Sequence, residues 1–169
     1  MQQSKTKILF VCLGNICRSP LAETIMSDLI EKKNLTDKYE IDSAGILDYH
    51  EGEKADYRMR CHASFRGYDI THLSRPVQKS DFDKFDLIFG MDEQNIRDLQ
   101  SIAQTDEQRQ KIRRLIDYCD TFGRPTIPDP YYGGDDGFRL VIDMLEVACK
   151  NLLQELDSKW VKKSPYYHS

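Results

Sequence analysis

Apolar positions along the chain follow two periods, and their alternation predicts the order of elements. Lys7 to Val11 reads Lys-Ile-Leu-Phe-Val, a continuous apolar run suited to a central parallel strand buried on both faces. Ser19 and Pro20 supply an N-cap and a first helical position. Leu21, Ala22, Ile25, Met26, Leu29 and Ile30 then form one helical face as far as about Lys33. Tyr39 to Ala44 is a second strand, with Ile41 inside and Gly45 ending it, and Ile46 to Glu53 is loop. A helix follows from Lys54 to about Phe65, closed by Gly67. Leu87-Ile88-Phe89-Gly90 is a third buried strand, preceded by a short amphipathic turn around Phe82 and Phe85. Asp92 then caps a helix carrying Ile96, Leu99 and Ile102.

Ile112 to Tyr118 reads as a fourth strand, placed at an edge by the charges of Arg113, Arg114 and Asp117. Thr121 to Asp136 is rich in Pro and Gly and is loop. In the last helix, Phe138, Val141, Ile142, Leu145, Ala148, Cys149, Leu152 and Leu156 repeat at helical spacing. The pattern from Val161 onward has no helical period, so 161–169 is expected to be a flexible tail on a single domain of 1–160. Strands alternating with helices predict an α/β fold: a four-stranded parallel sheet flanked by helices on both faces, doubly wound and Rossmann-like. Ligands of such sheets sit at the carboxyl ends of the strands, near a topological switch.

Composition narrows the choice of partner. The 169 residues are 40% hydrophobic and 31% charged, a globular profile. A net charge of −4 argues against a nucleic-acid partner, so any anion site must be built locally. The apolar run Ile8 to Leu13 is too short for a signal segment or a membrane span, which predicts a cytoplasmic protein without membrane insertion. Five cysteines in a mid-sized chain do not suggest a disulfide framework. Cys61 and His62 lack partners at zinc spacing, and no metal or cofactor is expected.

The chemistry concentrates where the first strand ends, in Cys12-Leu13-Gly14-Asn15-Ile16-Cys17-Arg18-Ser19-Pro20. The five residues between Cys12 and Arg18 can curl so that successive backbone N–H groups point inward, and the following helix adds its positive end. Gly14 and Asn15 readily take the positive φ that such a turn requires. Arginine's fork suits two oxygens of a phosphoryl group, so Leu13, Gly14, Asn15, Ile16, Cys17 and Arg18 form a candidate phosphate loop. A thiol at its mouth is expected to favour its anionic form, which makes Cys12 a candidate nucleophile. A cysteine at the end of a core strand also fits plain packing. Attack on phosphorus further needs a group to protonate the leaving oxygen and later activate water. Asp129, in Ile127-Pro128-Asp129-Pro130-Tyr131-Tyr132, is the candidate, held in extended backbone by its prolines.

The segment Cys12 to Ser19, together with Asp129-Pro130-Tyr131-Tyr132, resembles the low-molecular-weight protein tyrosine phosphatases, and the similarity spans roughly Lys5 to Lys159. That resemblance implies hydrolysis of phosphotyrosine through a phosphocysteine on Cys12, with Arg18 and the loop amides holding the phosphoryl group. Asp129 would be general acid and then base. The resemblance also implies that Ser19 donates to the Cys12 thiolate, while Asn15, Ser43 and His72 brace the loop. Tyr131 and Tyr132 would form one aromatic wall of the pocket. The loop Ile46 to Gly52, with Tyr49 and His50 at its tip, would form the other, above Leu13 and Ile16. A deep slot of this kind would admit a phenyl ring and exclude shorter phosphoserine.

Cys17 could capture an oxidised Cys12 as a disulfide and make the protein redox-sensitive, or it could simply pack beneath the loop. The implied partners are phosphotyrosine-containing proteins, with inorganic phosphate or vanadate as inhibitors. A monomer is expected, with a weak dimer as the alternative.

Related readings differ at identifiable residues. Arsenate reductases share the fold and the Cys-to-Arg loop but carry a further cysteine pair, whereas Val77 to Leu99 has none. Protein-arginine phosphatases usually have threonine where this chain has Ile16. A thiol redox protein working through Cys12 and Cys17 would leave Arg18 and Asp129 unexplained, and a phosphopeptide-binding module would not need the acid.

Overall fold

The structure is a computed structural model that describes residues 4–163, with side chains described as far as 159. Four strands form one all-parallel sheet: β1 Thr6–Cys12, β2 Tyr39–Gly45, β3 Leu87–Gly90 and β4 Ile112–Arg114, in the order β2-β1-β3-β4. The helices are α1 Arg18–Lys32, α2 Tyr57–Phe65, α3 Asp81–Lys84, α4 Glu93–Ile102, α5 Asp106–Gln110 and α6 Asp135–Lys163.

The unbroken apolar run of β1 makes sense because both of its faces are covered. Ile8, Phe10 and Cys12 join a core with Leu21 and Ile25 of α1 and Val141 and Leu145 of α6. Leu9 and Val11 face a second core with Phe82, Phe85 and Leu99 from the other side. Residues 8 to 11 are fully buried. At about 1.5–3 kcal/mol for each large apolar side chain removed from water, β1 is the best-anchored strand, and that anchoring fixes where Cys12 emerges. The chain leaves β1 for β2 on one side and returns across it to β3 on the other, so the C-terminal end of β1 is the switch point.

Several boundaries differ from the pattern, each for a physical reason. β4 ends at Arg114, and Leu115–Tyr118 is a 3₁₀ turn. Leu115 and Ile116 both enter the core shared with α6, and strand alternation would have sent one of them to the opposite face. α2 starts at Tyr57, because Asp56 caps it by accepting from Arg58 N–H at 2.9 Å and Met59 N–H at 3.3 Å. Lys54, expected in that helix, instead bridges Leu73 in antiparallel fashion.

Ser19 is not the N-cap of α1. The helix begins at Arg18 behind Cys17, which makes no side-chain capping bond, and the Ser19 hydroxyl is used elsewhere. α5 was not anticipated, although Thr105 and Gln108 form a reciprocal capping box. α6 starts inside the expected loop and continues to Lys163, past the boundary expected at 160; the rest of the expected tail, 164–169, lies outside the described residues. Among the described residues, no helix is long and apolar enough to cross a membrane.

Candidate active site

The loop from Cys12 to Arg18 is shaped by bonds made to its outer side. The carbonyl of Cys12 accepts from Ile46 N–H at 3.0 Å and that of Leu13 from Leu47 N–H at 2.9 Å. Ser74 Oγ donates to the Gly14 carbonyl at 3.0 Å, and Asp56 N–H to the Ile16 carbonyl at 2.8 Å. In a trans peptide the N–H points opposite to the carbonyl. Fixing those four carbonyls outward therefore turns the N–H groups of Leu13, Gly14, Asn15 and Cys17 toward the loop's centre, as an anion nest needs. Only Asn15 takes the left-handed conformation, at φ 57°; Gly14, expected to share it, does not. Gly45 is needed because the loop rests on it: a Cβ there would lie 3.0 Å from Asn15 N and Cβ.

Asn15 is the hub behind the loop. Its amide nitrogen donates to Ser19 Oγ at 2.8 Å and to Ser43 Oγ at 3.0 Å. Its Oδ1 accepts from Arg75 N–H at 3.0 Å and lies 2.8 Å from His72 Nε2. Since the Arg75 N–H fixes that oxygen as an acceptor, His72 Nε2 donates to it. On the far side, Glu23 Oε1 lies 3.0 Å from His72 Nδ1 and accepts from Ser43 Oγ at 2.6 Å. Ser19, Ser43 and His72 thus converge on Asn15. Glu23, Arg75 and Ser74 were missed, because they act through tertiary contacts that no local pattern announces.

Cys12 lies at the mouth. Its Sγ is 3.0 Å from Ser19 Oγ and accepts from Ser19 N–H at 3.4 Å. With Asn15 already donating to Ser19 Oγ, the hydroxyl proton is free to turn toward sulfur or toward the Ala44 carbonyl, 3.3 Å away. Arg18 is buried to 2% exposure; its Nη1 donates to Asp92 Oδ2 at 2.7 Å and to the Ile127 carbonyl at 3.0 Å, and its Nη2 reaches Asp129 Oδ2 at 3.5 Å. Burial works to lower the affinity of Arg18 for its proton, but Cys12, Asp92 and Asp129 outweigh it, and its pKa is raised. The guanidinium therefore stays charged. Asp92 was read only as a helix cap, and its Oδ1 does accept from Asn95 N–H at 2.8 Å; its other oxygen aims Arg18.

Cys17 is a second buried thiol in the same loop. Burial, with Asp56 and Cys12 nearby, pushes its pKa well up, so it stays a neutral thiol. Both cysteines are free.

A cleft of about 330 Å³ opens above Cys12, lined by Leu13, Ile16, Arg18, Leu47, Tyr49, His50, Asp129, Tyr131 and Tyr132. His50 shares a hydrogen bond with Glu53 Oε2 at 2.7 Å, and its ring packs edge-on against Tyr49. Tyr131 is half-buried and forms a wall. Tyr132, expected beside it as wall, is 93% exposed and stands at the rim, with its ring edge-on to Tyr131 at 4.9 Å. Leu47, which no local pattern marks, also lines the cleft. A wider groove of about 830 Å³ between α2 and Asp69–Leu73 contains none of this machinery.

Among the described residues, Glu23, Asp42 and His72 bring ligand-type atoms within 4.8 Å of one another. Their contacts are accounted for by the hydrogen bonds that brace Asn15, and Asp42 is also paired with Arg75 Nη2 at 3.0 Å.

Comparison with known proteins agrees with this geometry. Residues 7–163 match the family model for low molecular weight phosphotyrosine protein phosphatase. A Streptomyces coelicolor low molecular weight protein-tyrosine-phosphatase is 40% identical over 149 residues, covering 87% of this chain and 91% of the relative. A crystal structure of a protein tyrosine phosphatase from Entamoeba histolytica superimposes with a TM-score of 0.88 at 50% identity, covering 93% of this chain and 99% of that one. A Drosophila arginine phosphatase superimposes with a TM-score of 0.81 at 34% identity, covering 94% and 99%.

Proposed function

Because the chain belongs to the low molecular weight phosphotyrosine protein phosphatase family, and so is a cysteine-dependent protein tyrosine phosphatase, we propose specific roles for its site residues. The Cys12 thiolate attacks phosphorus, and the bond from phosphorus to the aryl oxygen breaks. Asp129 gives its proton to the departing phenolate oxygen, leaving a phosphocysteine. The Asp129 carboxylate then takes a proton from water as that water's oxygen attacks phosphorus. The sulfur–phosphorus bond breaks, releasing inorganic phosphate and restoring the thiolate. Arg18 and the inward N–H groups of the loop hold the three non-bridging oxygens throughout.

The observation that carries this reading is the position of Arg18, buried at the end of the loop and within reach of both Asp92 and Asp129. A buried, charged guanidinium between the thiol and the acid is suited to a phosphoryl group that moves from one toward the other. Ser19 supports the thiolate, and Asn15, Ser43 and His72 keep the loop rigid. Apolar Leu13 and Ile16 with Tyr131, and with Tyr49, His50 and Tyr132 toward the rim, favour an aryl ester over phosphoserine and over the phosphoarginine taken by the Drosophila relative.

Phosphotyrosine proteins are then the substrates, with phosphate and vanadate as competitive inhibitors and no metal or cofactor required. Cys17 serves as resolving thiol for an oxidised Cys12. The protein works in the cytoplasm as a monomer.

Cys12→Ser tests the assignment: hydrolysis of an aryl phosphate is expected to disappear while phosphate and vanadate still bind, and surviving turnover would refute it. Comparing phosphotyrosine, phosphoarginine and phosphoserine peptides tests the specificity, with phosphotyrosine expected to be hydrolysed fastest.

A further inference from the structure

We propose that Arg58, on α2 and outside the cleft lining, is a positioning residue that holds the Asp129 loop over the phosphate cradle. Arg58 Nη2 donates to the Tyr131 carbonyl at 2.6 Å, and Nη1 donates to the Gly133 carbonyl at 3.4 Å. The guanidinium also lies 5.6 Å from the Tyr131 ring centroid and 4.8 Å from that of Phe138, at the start of α6. One side chain thus grips the segment after Asp129 through two carbonyls and two rings.

The other end of the grip is the cradle itself. Arg58 Nε lies 3.3 Å from Asp56 Oδ1 and Nη2 lies 3.3 Å from Asp56 Oδ2, a forked pairing. Asp56 is fixed twice over, by capping α2 through Arg58 N–H and Met59 N–H and by donating its own N–H to the Ile16 carbonyl at 2.8 Å. A continuous chain of contacts therefore runs from the loop that holds phosphate, through Asp56 and Arg58, to the loop that carries the acid.

Asp129 needs such support. Its Oδ1 accepts from Tyr131 N–H at 3.0 Å, so the direction of its carboxylate depends on the Tyr131 backbone, which is the point Arg58 holds. Its other oxygen reaches Arg18 at only 3.5 Å. An isolated exposed ion pair would contribute little, but here the guanidinium is oriented by two carbonyls, two rings and a carboxylate at once and acts through the direction of the acid. A lysine cannot reproduce this, having no planar fork to serve two carbonyls and a carboxylate together.

The inference rests on Asp129 being the general acid, and the experiment separates the two claims. kcat/KM is measured for phenyl phosphate, whose leaving oxygen needs a proton, and for dinitrophenyl phosphate, whose leaving oxygen does not. The proteins are wild type, Arg58→Ala, Arg58→Lys, Asp129→Ala and the Arg58→Ala, Asp129→Ala double variant. Arg58→Ala is expected to lose about tenfold on phenyl phosphate and less than about twofold on dinitrophenyl phosphate, with inhibition by inorganic phosphate essentially unchanged. Arg58→Lys, which keeps the charge and secures a folded comparison, is expected to show a smaller loss with the same selectivity for phenyl phosphate. The double variant is expected to be no worse than Asp129→Ala alone.

Equal losses on the two esters, weakened phosphate inhibition, or multiplied losses in the double variant would overturn the role of Arg58. If Asp129→Ala shows the ester selectivity and Arg58→Ala does not, only Arg58 is refuted. If Asp129→Ala itself is flat across the esters, the acid assignment fails and takes this inference with it.

Discussion

The two loops that meet over Cys12 are built in opposite ways. The phosphate cradle is buried and cross-braced: Asn15, Arg18, Ser19 and Ser43 are each at most 2% exposed, and every contact of Asn15 is made to another fixed group. The acid loop is anchored at Ile127, which is fully buried and donates its N–H to the Met91 carbonyl at 3.0 Å, and beyond that point it is held from outside by Arg58 at the Tyr131 and Gly133 carbonyls while Asp129 itself faces solvent. The Asp129 side chain is 36% exposed. The difference fits the two tasks proposed for them. A cradle for developing charge works best when its dipoles need no reorganisation, so its polar groups are spent on one another. An acid must meet leaving groups attached to proteins and then meet water, so it sits where both can reach it.

This contrast can be broken first at its open half. Asp129→Ala is expected to lower kcat/KM for phenyl phosphate by about 10²–10³-fold, read by steady-state kinetics, while leaving the cradle's affinity for phosphate intact. Disturbing the braced half should do the reverse. Asn15→Ala removes the hub that holds Ser19, Ser43 and His72 and empties the one non-glycine left-handed position in the loop, so a loss of about 10–10²-fold on all aryl esters alike is expected, together with weaker phosphate inhibition.

A smaller effect sharpens the picture of the two thiols. Because Cys17 is held neutral by burial, iodoacetate at neutral pH is expected to label Cys12 and spare Cys17, as read by peptide mass, and phosphate should protect the labelled site. After hydrogen peroxide, wild type should regain activity with added thiol, whereas Cys17→Ala should not. The smallest change is expected at the rim: Tyr132→Ala should raise KM for a phosphotyrosine peptide by a few-fold and leave kcat for phenyl phosphate unchanged, because 93% exposure leaves the ring little contact except with a bound peptide.

The same contrast explains what could be read from the chain. β1, the Cys12 to Arg18 loop and α1 were legible because their chemistry is local: an apolar run, a Cys-to-Arg spacing and a helical face lie consecutively. Asp129 stands out as the candidate acid only because two prolines mark it within a loop of otherwise unexplained composition. Residues that act by reaching across the fold were not legible. Asp92 looked like a helix cap and is one, yet its second oxygen aims Arg18 from the end of β3. Local pattern makes Ser19 a cap, because serine before proline fits a helix start, and only the resemblance turns it toward Cys12; its hydroxyl is held between Cys12, Asn15 and Ala44. Glu23, flanking the core stripe of α1, resembles a solvated charge until Ser43 of β2 and His72 are packed against it. The bend after Arg114 was hidden for a similar reason, since only the arrival of α6 requires Leu115 and Ile116 to face the same way.

The central claim is that holding the phosphoryl group and protonating the leaving group are separate properties of the two loops. The most direct test is the inhibition constant of inorganic phosphate, measured beside kcat/KM for phenyl phosphate in Asp129→Ala and Asn15→Ala. Asp129→Ala is expected to keep its phosphate affinity within about twofold of wild type while losing catalysis, and Asn15→Ala to lose both. Parallel loss of phosphate affinity and catalysis in Asp129→Ala would contradict it.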